Sequence, residues 1–157
     1  MDHDKFMDIA LEEASKALVH NDVPIGALIV KSGIIVSSAH NMRYFLKDAT
    51  MHAEILAIKE ACSFFKTQFL DGCDIYVTCE PCLMCSGAII QARIKNLYFG
   101  AYDKKAGCAG SVLNVFSMPF NHKVSVQGGI MEDDCSAVLS KFFASKREEK
   151  KRNEQTG

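Results

Sequence analysis

The chain has 157 residues, enough for one domain that buries a hydrophobic core without disulfides. Its hydrophobic content of 48%, charged content of 24% and net charge of −1 are ordinary for a globular protein and exclude an overall basic field. The polar N-terminus has no signal-peptide pattern, and no run of about 18 apolar residues could cross a bilayer. We therefore expect a cytoplasmic protein with no membrane partner, whose seven cysteines are thiols or metal ligands.

The predicted elements begin with a helix that is followed by a hairpin. Apolar residues recur with a helical period over residues 6–18. Two short apolar runs, residues 27–30 and 34–36, flank a Ser-Gly turn and predict a pair of antiparallel strands. The polar stretch 37–50 is predicted to be a loop, and a second helix is expected to begin near Met51.

Strands and helices alternate in the second half of the chain. Residues 75–78 are rich in β-branched and aromatic side chains and predict a buried strand, and Pro81 is expected to open the next helix. Residues 97–99 and 124–126 predict two further short strands, before a last helix around residues 135–142. This order indicates an α/β protein, with three α/β/α layers and a mixed central sheet of about five strands.

Two motifs carry the candidate chemistry, His52-Ala53-Glu54 and Pro81-Cys82-Leu83-Met84-Cys85. Each lies at the predicted start of a helix, where the helix dipole favours anions such as thiolates. Cys82 and Cys85 are three residues apart, so both thiols project from one face of a single turn. Two thiolates and one imidazole form a three-ligand set for tetrahedral zinc and leave the fourth position open for water. We therefore predict one zinc ion per chain, held by His52, Cys82 and Cys85.

Glu54 is the predicted catalytic residue of this site. Zinc lowers the pKa of a coordinated water to about 7, and a nearby carboxylate can accept that proton and return it to the substrate nitrogen. A lone C-x-x-C pair also fits a redox pair or a structural zinc site, for which Cys79 would be the obvious fourth ligand. The joint match to the H-x-E and P-C-x-x-C signature of zinc deaminases favours the catalytic alternative.

With these motifs placed, the chain resembles the cytidine deaminase superfamily and, within it, the bacterial tRNA-specific adenosine deaminases. The resemblance covers residues 6–147 and rests on these segments: 23–27, Asn41, 50–55, 76–88, 99–111, Asn121-His122 and Phe142-Phe143. It implies a cytidine-deaminase-like fold that converts adenosine to inosine at the wobble position of tRNA and releases ammonia. It also implies a homodimer whose partner is the tRNA anticodon stem-loop. The chain departs from the family pattern at Ala49, Met51 and Cys79, where the family usually has Pro, Ala and often Leu.

The resemblance also implies which residues contact the substrate. Asn41 is expected to contact the flipped nucleotide and Val23 to line the base pocket. Neighbours on a helix cannot share a face, so one phenylalanine of the pair is expected in the core, and Phe143 is assigned to the substrate side.

A basic segment ends the chain. Residues 141–152 hold six basic and two acidic residues, a pattern that is also typical of a solvated helix end. Because tRNA binding needs phosphate contacts, Lys146 and Arg147 are predicted to bind the substrate. We expect residues 1–157 to form a single zinc-dependent deaminase domain, with this basic helix and tail from about residue 141.

Two other functions remain open at this point. The same zinc chemistry would serve a deaminase acting on guanine, cytosine or a cytidine derivative, although such an enzyme has no use for a basic, aromatic final helix. A remote alternative is a non-catalytic, zinc-stabilised RNA-binding subunit. Glu54 argues against that alternative, since a structural zinc site needs no unligated carboxylate beside the metal.

Overall fold

The computed structural model describes residues 2–156, which form five α-helices and five β-strands. The helices are α1 (His3–Ser15), α2 (Arg43–Leu46), α3 (Ala53–Phe65), α4 (Leu83–Gln91) and α5 (Glu132–Thr156). The strands are β1 (Gly26–Lys31), β2 (Ile34–His40), β3 (Cys73–Cys79), β4 (Asn96–Ala101) and β5 (Ser125–Gln127). Two 3₁₀ helices, Lys16–His20 and Val115–Ser117, lie in the connections.

The five strands form one mixed sheet in the order β2-β1-β3-β4-β5. β1 pairs antiparallel with β2 and β3, whereas β3, β4 and β5 run parallel. The hairpin between β1 and β2 turns at Ser32 and Gly33, both of which have positive φ, as a two-residue hairpin turn requires. The predicted hairpin and the predicted mixed sheet of about five strands are therefore confirmed.

Helices cover both faces of the sheet, which gives the predicted three layers. Alternate residues of the strands serve the two faces: Leu28 and Tyr76 pack towards α1 and α5, while Ile29 and Ile75 pack towards α3 and α4. Every residue of β3 is buried. A central strand that is covered on both sides accounts for the continuous apolar run in this part of the sequence.

The predicted loop over residues 37–50 is wrong in two places. β2 continues to His40, and α2 occupies four residues within the stretch. Ser37 looks polar in the sequence, but its hydroxyl is buried and donates to the Ala57 carbonyl oxygen of α3 at 2.8 Å. A polar residue can therefore occupy a buried position of a strand when its hydrogen bond is made across layers.

Two further features place the functional residues. α4 begins at Leu83 and not at Pro81, because Cys82 is the N-cap residue and has an extended backbone. The basic segment predicted from about residue 141 lies in the second half of α5. Across residues 2–156, no helix is both long enough and apolar enough to cross a membrane.

Candidate metal centre

The three predicted metal ligands meet where α3 and α4 begin, beyond the carboxyl end of β3. His52 is the N-cap residue of α3 and Cys82 is the N-cap residue of α4, and both have extended backbones. Neither side chain makes a capping hydrogen bond, so both remain available as ligands. Cys85 lies in the first turn of α4 and is fully buried. Both helices thus direct their positive ends towards the thiols, which favours the thiolate form.

The distances between the donor atoms fit a tetrahedral zinc ion. His52 Nδ1 lies 3.7 Å from Cys82 Sγ and 3.5 Å from Cys85 Sγ. All three donor atoms lie within 4.8 Å of one another. Zn–S bonds of about 2.3 Å and Zn–N bonds of about 2.0–2.1 Å at a tetrahedral angle separate sulfur from nitrogen by about 3.6 Å. The donor set and its spacing therefore fit zinc, with three protein ligands.

The two neighbouring thiols can both be deprotonated only if a cation lies between them. A hydrogen bond from Cys85 and the nearby His52 imidazole lower the pKa of Cys82 to about 4. The same contact between the sulfurs, together with burial, raises the pKa of Cys85. One thiolate therefore opposes the ionisation of the other, and a metal ion is the group that allows both to be deprotonated.

Glu54 lies beside the ligands without being one of the three clustered donors. Its side chain is 4% exposed, and burial raises the pKa of its carboxyl group to about 7. It interacts with the Cys85 thiol, which places the carboxyl group next to the metal centre. This buried carboxyl group is positioned to hold or release a proton at that point.

Asn41 supports the same helix start from the end of β2. It is 3% exposed, and its Oδ1 accepts a hydrogen bond from the Ala53 amide at 2.8 Å. This bond satisfies an amide in the first turn of α3, which His52 leaves uncapped. Asn41 is therefore adjacent to the metal centre, and one of its side-chain groups holds α3 in place.

The other predicted substrate residues lie in a groove of about 750 Å³ beside the centre. The groove runs between the segment that follows β4 and α5, and Val23, Phe143, Lys146 and Arg147 all line it. Neither the three ligands nor Glu54 line the groove. Cys79 connects the two regions, because it lines the groove and its pKa, raised mainly by burial, also responds to the charge of Glu54.

The two predicted phosphate-binding residues differ in their surroundings. Lys146 Nζ donates to Asn21 Oδ1 and pairs with Glu149 at 3.3 Å. Arg147 is exposed and makes no ion pair or hydrogen bond with any residue between 2 and 156. The groove is basic as a whole, since five of its lining residues carry positive charge: Lys104, Lys105, Lys146, Arg147 and Lys150. The predicted division of the phenylalanine pair is also observed, with Phe142 buried and Phe143 45% exposed.

Glu80, which the sequence analysis did not single out, shapes one wall of the groove. It is 3% exposed and accepts hydrogen bonds from the amides of Asp103, Ala109 and Ser111, each at 3.0 Å. The Ser111 hydroxyl donates to it at 2.5 Å. The local sequence shows only an acidic residue between a buried strand and Pro81, and it does not reveal the donors that a buried carboxylate needs.

Asp22 is a second buried carboxylate that the sequence analysis missed. It is fully buried and accepts from the amides of Val23 at 2.8 Å and Arg43 at 2.7 Å, and from the Arg43 guanidinium at 2.9 Å. Burial alone would raise its pKa, but these hydrogen bonds and the Arg43 charge lower the pKa of Asp22 below its usual value. Asp22 thereby connects two parts of the chain, the loop that contains Val23 and the start of α2.

Comparison with known proteins gives this geometry a family. The MafB19-like deaminase family model matches residues 1–147. The chain is 47% identical over 148 residues to the tRNA-specific adenosine deaminase of Aquifex aeolicus (strain VF5), covering 94% of this chain and 97% of that protein. It is 43% identical over 147 residues to the tRNA-specific adenosine deaminase of Bacillus subtilis (strain 168), covering 93% and 91% of the two chains.

Solved structures agree with the sequence relatives. A structure from work on A-to-I editing by tRNA deaminases at the wobble position of transfer RNA matches with a TM-score of 0.83 and 42% identity, covering 86% of this chain and 99% of that chain. Guanine deaminase from Bacillus subtilis matches with a TM-score of 0.64 and 33% identity, covering 94% and 95%. Both the fold and the sequence are therefore more similar to the tRNA-editing enzyme.

Proposed function

The chain belongs to the family of tRNA-specific adenosine deaminases, and from that premise we propose which of its residues carry out the reaction. The reaction is the hydrolytic deamination of adenosine to inosine at the wobble position of tRNA. The C6–N6 bond of the base breaks, a C6–O bond forms with oxygen from water, and the amine leaves as ammonia. The observation that carries the proposal is the convergence of one imidazole, two thiols and a buried carboxyl group at two helix starts.

In this proposal, His52, Cys82 and Cys85 hold one zinc ion per chain, and zinc supplies the Lewis acidity that makes water a nucleophile at neutral pH. Glu54 is the catalytic residue that moves protons. Its carboxyl group is buried beside the ligands and interacts with Cys85, so it can take a proton from water and deliver it to the leaving nitrogen. Because Glu54 is only 4% exposed, the transfer takes place away from bulk water.

In our proposal, the reacting nucleotide lies at the metal centre and other parts of the RNA lie in the groove. Asn41 lies next to Glu54, because Asn41 Oδ1 accepts a hydrogen bond from the amide of Ala53, the residue before Glu54. We propose that the side-chain NH₂ group of Asn41 contacts the reacting nucleotide. Val23 and Phe143 form apolar parts of the groove wall, while Lys146 and Arg147 reach phosphates. A base in a single-stranded loop can be turned out of its stack at low cost, which suits an anticodon loop.

A homodimer is the assembly that the exposed apolar surface supports. Large apolar side chains that are 43–60% exposed lie at the start of α4 and in the segment that follows β4: Leu83, Val112, Leu113, Met118 and Phe120. The 3₁₀ helix in the segment that follows β4 packs against α4, so this segment lies beside that helix. A cluster of this kind is typical of a protein interface. Analytical ultracentrifugation that found only monomers at micromolar concentration would contradict the dimer. We also propose that the enzyme acts in the cytoplasm, where tRNA is available.

One assay separates the proposed function from its alternative. The purified protein is incubated with an anticodon stem-loop RNA, free guanine, cytosine and cytidine, and the release of ammonia is measured. We expect release from the stem-loop. A preference for guanine over the stem-loop would favour the small-molecule alternative, which the 33% identity to a guanine deaminase makes the relevant competitor.

A variant of Glu54 tests its proposed role. Glu54→Ala is expected to keep its zinc and its fold but to lose on the order of 10²–10⁴-fold in turnover, the usual range for general acid–base catalysis. Loss of zinc in this variant would instead make Glu54 a ligand and contradict the proposed role.

A further inference from the structure

Residues 103–111, which follow β4, form one wall of the groove and contain no helix or strand. We call them the groove wall, and four of them, residues 103–106, line the groove directly. Local hydrogen bonds give the groove wall its own shape, such as the bond from the Gly107 amide to the Asp103 carbonyl oxygen at 2.8 Å. Such bonds do not fix where the wall lies relative to the metal centre, so its contacts with the rest of the chain decide its position.

Glu80 contacts both ends of the groove wall. Its Oε1 accepts hydrogen bonds from the Asp103 amide and from the Ser111 hydroxyl. Its Oε2 accepts from the amides of Ala109 and Ser111. One side chain therefore binds the first residue of the wall and two residues at its other end. Glu80 does not line the groove itself, so any effect on RNA would act through the wall.

The same stretch of chain carries a metal ligand. The Cys108 amide donates to the Pro81 carbonyl oxygen at 2.9 Å, directly before the proposed ligand Cys82. Among residues 2–156, every hydrogen bond that joins the groove wall to a part of the chain before β4 goes to Glu80 or to Pro81. The groove wall and the metal centre are thus attached to the same short segment.

The surroundings of the Glu80 carboxylate oppose any movement of the wall. The residue is buried and makes no ion pair with any residue between 2 and 156. A buried carboxylate without a cation depends on its hydrogen-bond donors, and hydrogen bonds to a charged group are stronger than those between neutral groups. The wall therefore cannot move away without leaving this charge unsatisfied. A surface that is already ordered before binding avoids the cost of ordering it when RNA binds.

We propose that Glu80 is a positioning residue for the reaction, which keeps the groove wall ordered beside the metal centre before RNA binds. This inference rests on the proposed function, because the groove must bind RNA for the order of its wall to matter. Glu80 contacts neither the substrate nor the metal in this proposal. Bound RNA can order a loosened wall again, at a cost in binding free energy. The loss of Glu80 should therefore weaken RNA binding and have little effect on the turnover of bound RNA.

The variant that tests this role is Glu80→Gln, which keeps the shape of the side chain and replaces one acceptor oxygen by an NH₂ donor. At the position of Oε2, the NH₂ group would oppose the amides of Ala109 and Ser111. At the position of Oε1 it would oppose only the Asp103 amide, because the Ser111 hydroxyl can turn and accept. We therefore expect the Asp103 end of the wall to become loose while the other end stays bound.

Binding, kinetics and hydrogen exchange are measured for wild type and Glu80→Gln. We expect Kd and KM for the anticodon stem-loop to rise about tenfold in the variant, while kcat stays within about threefold of wild type and zinc stays at about one ion per chain. Amide hydrogen exchange followed by NMR should show the cause. The Asp103 amide should be protected in wild type, exchange faster in RNA-free Glu80→Gln, and regain protection when the stem-loop is bound.

The matched control is Ser37→Ala, which removes another buried hydrogen bond, the one to the Ala57 carbonyl oxygen between β2 and α3. It should lower the free energy of unfolding without changing stem-loop binding or exchange at Asp103. Equal weakening of binding in Ser37→Ala would mean that lost stability alone explains the effect of Glu80→Gln, and would overturn the positioning role.

Unchanged stem-loop binding in Glu80→Gln would also overturn it, and so would loss of zinc, which would assign Glu80 to the metal centre. If Glu80→Gln does not fold, Ser111→Ala decides the question. It removes only the hydroxyl bond and should weaken binding about two- to fivefold, and unchanged binding would overturn the proposal. Wild type that binds the stem-loop without deaminating it would refute the proposed function and this inference with it. Normal deamination by both wild type and Glu80→Gln, with equal Kd and KM, would refute the positioning role alone.

Discussion

The metal centre and the basic groove are adjacent, but they are built in opposite ways. At the centre, Cys85 is fully buried and Glu54 is 4% exposed, and both are carried by the first turns of helices that pack on the sheet. In the groove, Phe143 is 45% exposed and Arg147 is exposed and makes no polar contact with residues 2–156. The chemistry thus depends on a fixed interior, while substrate binding depends on a surface.

This difference indicates how strongly substitutions in each region should affect the protein. Removing a buried ligand leaves its partners without a counter-charge, so the loss is large and is not confined to one step. An exposed cation is screened by salt, and its removal changes affinity by a modest factor. We therefore expect the sizes of mutational effects to fall from the centre towards the groove.

The largest effect is expected from Cys85→Ala. With one thiol gone, two ligands remain and we expect zinc to fall from about one ion per chain to near zero, with no measurable turnover. Elemental analysis and the ammonia assay check this result. Cys62→Ala, which removes a partly buried thiol elsewhere on α3, is the matched control and should keep both metal and activity. Full activity in Cys85→Ala would contradict the assignment of the ligands.

An intermediate effect is expected from Asp22→Asn, which acts on the contact between the loop that carries Val23 and the start of α2. The loss of the carboxylate that binds Arg43 should lower the free energy of unfolding at pH 7 by about 3 kcal/mol, measured by urea denaturation. Because the pKa of Asp22 is lowered in the folded state, its stabilisation is present above the ordinary carboxyl pKa and is lost as the pH falls through the lowered value. The difference between variant and wild type should therefore shrink below about pH 4.

Asp71→Asn provides the control for Asp22, since Asp71 is an exposed turn residue, and it should change the free energy of unfolding by less than about 0.5 kcal/mol. A pH-independent loss in Asp22→Asn would show that packing, and not the charge of the carboxylate, accounts for the effect.

The smallest effect is expected in the groove and distinguishes its two cations. Arg147→Ala should weaken stem-loop binding about fivefold near 0.15 M salt and flatten the log–log salt dependence by about 0.7–0.9, the value for one phosphate contact. Lys146→Ala should flatten it less, because Lys146 is already paired with Glu149. Lys95→Ala, an exposed cation at the opposite end of β4, should change neither quantity. An unchanged slope in Arg147→Ala would mean that the end of α5 is only solvated.

The sequence predicted the parts of the fold that depend on local pattern. The β1–β2 hairpin follows from two apolar runs around a turn, and the sheet follows from the order of elements. α2 was missed because its four residues have no helical period, and its start is held by Asp22, which lies 21 residues earlier. A contact between distant residues of that kind leaves no mark on the local sequence.

The candidate site also contains residues that could be predicted from the local sequence and residues that could not. The three ligands and Glu54 could be predicted because zinc and a helix start require particular residue types at short spacings. Glu80 could not, since its partners lie 23 to 31 residues further along the chain.

Glu80 also bears on how this enzyme can adapt. Three of its four hydrogen bonds go to backbone amides, which every residue except proline provides. The shape of the segment that follows β4 therefore depends on few of its own side chains. The exceptions are Asp103, whose Oδ1 accepts from the amides of Lys105 and Ala106, and Gly107, where a Cβ would lie 2.3 Å from the Glu80 carboxyl carbon. Lys104 and Lys105 can change without reshaping the groove, so substitutions can retune its charge for a different set of RNAs while its outline is inherited unchanged.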